Sequence, residues 1–200
     1  MPKPVELNQR RAEFVDAAWR IIRKEGFRAA TLRRVAAEAR CTTGALTHYF
    51  NNREALLLDA LRSAHAAAAG RMLVTARAAA SGLRRLEAVV LEALPLDAKR
   101  LDEWKTRLAF WNAASESEPL RRENLKRFDE WSEFLRESLA PFVPTPKAQS
   151  REVMLLAALV DGLAMRLLMQ CRTAEQLRAE APQIVTSVRD HLEAVLRRYR

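Results

Sequence analysis

The sequence is poor in residues that cross-link, punctuate or anchor a chain. Two cysteines in 200 residues, Cys41 and Cys171, are too few for a disulfide scaffold or a cysteine zinc site and suit a reducing compartment. The longest apolar run, Val153 to Val160, is eight residues and stops at Asp161. That is well short of the ~20 residues needed to cross a bilayer. His48, His65 and His191 lack metal-ligand spacing, and the five glycines stand alone, so neither a metal site nor a phosphate-binding loop is expected. No apolar stretch precedes the first charges, so no secretory signal is expected either. No segment alternates polar and apolar residues as a half-buried strand does, and no proline falls between Pro4 and Pro95. These absences exclude a membrane protein, a secreted mini-domain and a zinc finger. They also argue against an enzyme, and they leave a cytoplasmic, all-α protein without cofactors as the expectation.

What is present is core-forming and basic. Hydrophobic residues make up 49% and charged residues 30%, enough apolar surface for a core of ordinary size. The net charge of +9 is concentrated at one end. Residues 1–55 hold eleven Lys/Arg against six Asp/Glu, a net of +5, while residues 56–200 hold 23 against 19, a net of +4. A locally basic segment is an electrostatic footprint for phosphate, and equally a solvated surface.

Apolar residues recur at three- and four-residue spacing throughout, which predicts nine or ten helices. The first runs from about Val5 to Glu25, with Gly26 as its left-handed cap. Thr31 caps a second to about Ala39, Thr42 a third over Thr43–Phe50, and Asn52 a long fourth. Gly82 and Pro95 bracket a fifth, and Asp97 to Ser115 reads as a sixth. Pro119 opens the next, to about Leu139, and Thr145-Pro146 opens a strongly apolar one ending near Cys171. Thr173 and Gln176 match a capping box, and Pro182 is expected to start the terminal helix. This divides the chain into a small N-terminal three-helix domain (1–53) and a larger C-terminal helical bundle (54–200).

The window Thr31 to Phe50 reads as two short helices around a tight turn at Arg40-Cys41, with Leu32, Val35, Leu46 and Phe50 as a shared core. That is helix-turn-helix architecture, whose second helix enters the major groove. Small residues Thr42, Thr43, Gly44 and Ala45 open that helix and allow close approach to base edges. Thr47, His48 and Tyr49 offer hydroxyls and an imidazole to phosphates, and Arg53 adds charge. An ordinary helical hairpin would share the periodicity.

These residues, in order with Gly26-Phe27, Thr31-Leu32-Arg33, Val35-Ala36, Thr43-Gly44-Ala45-Leu46, His48-Tyr49-Phe50 and Asn52-Arg53-Glu54, resemble the DNA-binding domain of the TetR family of one-component repressors over roughly residues 8 to 60. Ala158 to Ala164 is similar, over a shorter stretch, to the ligand-binding half of the BetI-like subgroup. The resemblance implies a homodimeric repressor on a palindromic double-stranded operator, released by a small-molecule effector. It places Arg33 where a side chain reaches a base or phosphate, Thr43 and Gly44 at the base-facing start of the recognition helix, and His48 and Tyr49 at its backbone-contacting end. Arg53 takes the place of a phosphate-binding lysine, and Thr47 falls where many members have a tyrosine. The expected DNA-binding set is Thr31, Arg33, Thr42, Thr43, Gly44, Thr47, His48, Tyr49 and Arg53. Arg40 departs from the family, standing where a turn glycine is usual.

In the C-terminal half, Trp104, Leu108 and Trp111 share one helix face, Phe128 and Trp131 lie on the next helix, and Met165 on the penultimate one. They read either as the lining of an effector pocket or as ordinary core. A pocket of this kind would take an apolar ligand or, through cation–π contact, a quaternary ammonium. Val153, Leu156, Ala157, Val160, Ala164 and Leu167 form one apolar face, and Ile184, Val188, Leu192 and Val195 another. The two-fold logic of the resemblance makes them the expected homodimer interface, although a buried intrachain helix would look alike. The rival reading is an all-helical dimeric interaction module without specific DNA binding.

Overall fold

A computed structural model describes residues 4–199, with side chains from residue 7 onward. Among the described residues the secondary structure is entirely helical. The helices are α1 (Pro4–Glu25), α2 (Leu32–Glu38), α3 (Thr43–Thr47), α4 (Arg53–Ala78), α5 (Leu83–Ala93), α6 (Ala98–Ala114), α7 (Glu118–Leu139), α8 (Pro146–Gln170) and α9 (Ala174–Tyr199), with a single 3-10 turn at Phe27–Ala29. None is long and apolar enough to cross a membrane.

The caps expected from local sequence form. Thr31 accepts from the Arg34 N–H, Thr42 from Ala45, Asn52 from Ala55 and Thr145 from Ala148. Thr173 and Gln176 exchange hydrogen bonds as a capping box and start α9 at Ala174. Pro182 therefore lies inside α9 and does not begin a helix. The flanking apolar positions Leu177 and Ile184 are both buried, and their packing outweighs the lost N–H. Gly26 has φ 90°, as a glycine permits, but its ψ of 167° lies outside the left-handed helical region expected for it.

The helices gather into two compact units. The first comprises the residues up to Ala66 together with Thr106–Leu125, and the second comprises Ala67–Lys105 and the chain from Lys126 onward. Compactness thus groups the start of α4, the end of α6 and the start of α7 with the helix-turn-helix, whereas the expected division at 53/54 follows the motif alone.

The first unit's core unites Phe14, Ala17, Ala18 and Ile21 of α1, Val35 and Ala36 of α2, Leu46 of α3, Phe50, Leu57 and Leu61, and Phe110 and Leu120 from far along the chain. Burying each large side chain stabilises by about 1.5–3 kcal/mol. Phe110 meets Phe27 edge-on at 5.0 Å between ring centroids and Trp19 at 6.0 Å.

In the second unit α5 and α8 pack on α9. Val153, Leu156, Val160, Ala164 and Leu167 of α8, and Ile184, Val188, Leu192 and Val195 of α9, are all buried within the protomer. Apart from the half-buried Ala157, the face expected to dimerise is therefore intrachain core. Met154, Leu155, Ala158, Gly162, Met165 and Met169 are exposed instead, about 180° around α8 from the buried set at 100° per residue. Glu152, fully buried, accepts hydrogen bonds from Arg198 at 2.6 Å and Tyr199 at 2.9 Å, which ties the last turn of α9 to the start of α8.

Candidate nucleic-acid interface

α2 closes in a left-handed turn. The Cys41 N–H donates to the Ala36 carbonyl at 2.9 Å and the Arg40 N–H to Ala37 at 3.1 Å, the paired bonds of a Schellman motif. Arg40 occupies its left-handed position with φ 54°. Its side chain is exposed and lines a polar cleft with Glu13, Asp16, Arg20 and Glu38. A side chain at this φ costs about 1 kcal/mol relative to glycine. Arg40→Gly is expected to raise the melting temperature by roughly 2–4 °C in a calorimetric scan. An unchanged or lowered value would mean that the arginine's contacts offset the strain.

The turn delivers α3 with its capped N-terminus outward. Thr43 and Gly44 are exposed, and a Cβ at Gly44 would meet only Thr42 Oγ1 at 3.9 Å. Nothing inside the protein requires glycine there, so the open space lies on the outer surface. α3 is shorter than expected, ending at Thr47 with His48 as its C-cap. Thr47 donates its hydroxyl to the Gly44 carbonyl at 2.8 Å, and His48 is exposed beside it. Leu46 is fully buried and fixes the helix's roll.

Other expected contacts are less free. Tyr49 is half-buried, its ring edge-on to Phe14 at 5.2 Å. Thr31 and Thr42 are exposed but hold their caps. Arg33 is exposed and, with Arg23, Arg28 and Arg40, forms no ion pair among the described residues. By contrast Arg20 pairs with Glu38 and Arg34 with Glu25. Arg53 is half-buried, and it donates Nε to the Ala30 carbonyl at 2.9 Å and Nη2 to the Phe27 carbonyl at 2.7 Å. Burial lowers its pKa from the usual guanidinium value. Arg11, outside the expected set, donates Nη1 to the Tyr49 carbonyl at 2.9 Å and pairs with Asp59. No local pattern marks it.

The aromatic candidates of the C-terminal half are dispersed in their surroundings. Trp104 is buried, with its indole N–H donated to the Ala93 carbonyl at 2.8 Å. Leu108 and Trp111 are half-buried and belong to the first unit. Trp131, half-buried in the second, stacks on Phe134 at 5.6 Å. Phe128 and Met165 are exposed, the latter on the outward face of α8.

Comparison with known proteins agrees at both ends of the chain. Residues 14–60 match the family described as bacterial regulatory proteins, tetR family, and residues 82–197 match the BetI-type transcriptional repressor, C-terminal. The regulator BetI of Burkholderia mallei is 35% identical over 173 residues, covering 83% of this chain and 85% of its own. PksA of Bacillus subtilis, also a transcriptional regulator, is 24% identical over 205 residues, covering 98% of this chain and 94% of its own. A transcriptional regulator from Saccharomonospora viridis, solved in complex with choline, superposes with a TM-score of 0.79 at 22% identity over 93% of this chain and 96% of its own.

Proposed function

This chain belongs to the TetR family of bacterial regulatory proteins, with a BetI-type C-terminal half, and on that premise we propose how its own residues carry out the family's work. It is a DNA-binding transcriptional repressor. We assign base reading to Thr43 and Gly44, with Thr42 holding the N-terminus of α3. Phosphate contact falls to Arg33, His48, the N–H groups at the capped helix start and, at the turn, Arg40. The observation that carries this reading is Gly44, open to solvent at the exposed start of α3 where a close-approaching surface gains most from a missing Cβ.

The dimer that such recognition requires is assigned to the outward face of α8, with Met154, Ala158, Gly162 and Met165 at its centre. In the cytoplasm it would sit on two half-sites of a palindrome. For the effector we propose a quaternary ammonium of the choline type. The choline-bound relative and the aromatic content of α6 and α7 support it, since Trp faces attract such cations by about 0.5–2 kcal/mol each. An apolar ligand is the second candidate.

Two measurements test these assignments. Binding to duplex DNA across a salt series should show Arg33→Ala lowering the slope of log K against log salt by about one unit per protomer, while Thr43→Ala shifts preference among sequences at constant slope. Reversed behaviour would exchange the two roles. Choline titrated against tryptophan fluorescence, with and without a duplex enriched on the protein, should bind about 30- to 150-fold more weakly in the presence of DNA, a coupling of ~2–3 kcal/mol. Equal affinity in the two conditions would remove choline as the switch.

A further inference from the structure

We infer that Arg53 is a positioning residue for operator recognition, holding the helix-turn-helix in its reading geometry from the first turn of α4. Its fork bridges two backbone carbonyls, Ala30 at 2.9 Å through Nε and Phe27 at 2.7 Å through Nη2, and its guanidinium carbon lies 5.1 Å from the centroid of the Phe27 ring. Ala30 is fully buried and directly precedes Thr31, the residue whose hydroxyl caps α2. α2 in turn packs on α3. A displacement of Arg53 therefore reaches the recognition helix through one loop and one short helix. Arg11, on α1, holds the segment that follows α3, with its guanidinium 4.4 Å over the Phe50 ring, its Nη1 on the Tyr49 carbonyl and its Nε on Asp59 of α4. The helix-turn-helix is thus tied at both of its ends, before α2 by Arg53 of α4 and after α3 by Arg11 of α1.

A phosphate contact asks something different of the same side chain: an outward charge whose shape is secondary. Here Nε and Nη2 already donate to carbonyls within the protein, and three properties are used together: a planar fork, two donors aimed at separate carbonyls, and charge near a ring. A lysine ammonium has donors enough but is a compact point charge, without the planar fork that spans two carbonyls while its charge faces a ring.

The inference rests on α3 being the base-reading helix. Its test uses the full-length protein at 10 °C, with folding of each variant verified by circular dichroism. The probes are a random-sequence duplex and a duplex enriched from a random library on the wild-type protein. Arg53→Ala and Arg53→Lys are expected to lower the ratio of enriched to random affinity by about tenfold, with the salt slope of the wild type retained. Phe27→Leu, which keeps the charge, should lower the ratio in the same direction, and it stands in if the Arg53 variants do not fold. A slope reduced by about one unit per protomer in Arg53→Ala and restored in Arg53→Lys would overturn the inference in favour of a phosphate contact. A lower melting temperature with an unchanged ratio would overturn it in favour of a purely stabilising role. A wild-type protein that enriches no sequence would overturn it together with the assignment of α3, a failure distinct from the other two.

Discussion

Phe110→Ala is expected to destabilise the first compact unit by about 3–5 kcal/mol, the usual cost of emptying a fully buried aromatic site. The ring is inaccessible to solvent and is packed by Phe27 and Trp19, so little can collapse into the space it leaves. Although Phe110 lies on α6, the loss falls on the unit that holds the helix-turn-helix. Urea unfolding with hydrogen exchange in α1 and α2 would follow it, and protection there should drop with the global midpoint. Phe128→Ala, at a ring 40% exposed, should cost far less. Equal midpoints for Phe110→Ala and wild type would mean that the N-terminal core does not rest on α6.

The second large effect separates folding from association on α8. Val160→Glu places a carboxylate in the protomer core, where an unpaired charge costs several kcal/mol, and is expected to unfold or grossly destabilise the chain. Met165→Glu, about opposite on the same helix, leaves its charge in water within the protomer and in an apolar contact within the proposed dimer. It is expected to keep a wild-type helical spectrum while sedimenting as a monomer at concentrations where the wild type is dimeric. DNA affinity should fall with it, because one half-site offers half the contacts. A Met165→Glu protein that remained dimeric would move the interface elsewhere.

Local chemistry was legible in the sequence where it is carried by neighbours in the chain. Thr31, Thr42, Asn52 and Thr145 declare their caps by residue type alone, and the turn at Arg40 was placed correctly because two short apolar sets must fold back on each other. The inner and outer faces of α8 were not separable, because Met154, Leu155, Ala158 and Met165 make its outer face as apolar as its inner one. Phe110 sits in a core otherwise built from residues 14–61 and Leu120, a long-range pairing that leaves no periodic trace. Pro182 departs from the helix-start position that proline favours, because packing on both sides carries the helix through it. The sequence places Arg53 at a phosphate, and nothing in its neighbourhood reveals that two carbonyls 23 and 26 residues away are turned towards it.

The arginine-to-carbonyl bonds of the first compact unit differ from its carboxylate pairs in how they respond to acidity. Guanidinium groups remain protonated at any pH a cell experiences, and backbone carbonyls do not titrate at all. The bonds from Arg53 to Ala30 and Phe27 therefore keep the same form through the physiological range of pH. Mild acid thus leaves in place the bonds that join the first turn of α4 to the segment before α2, and a change of pH alone does not release them.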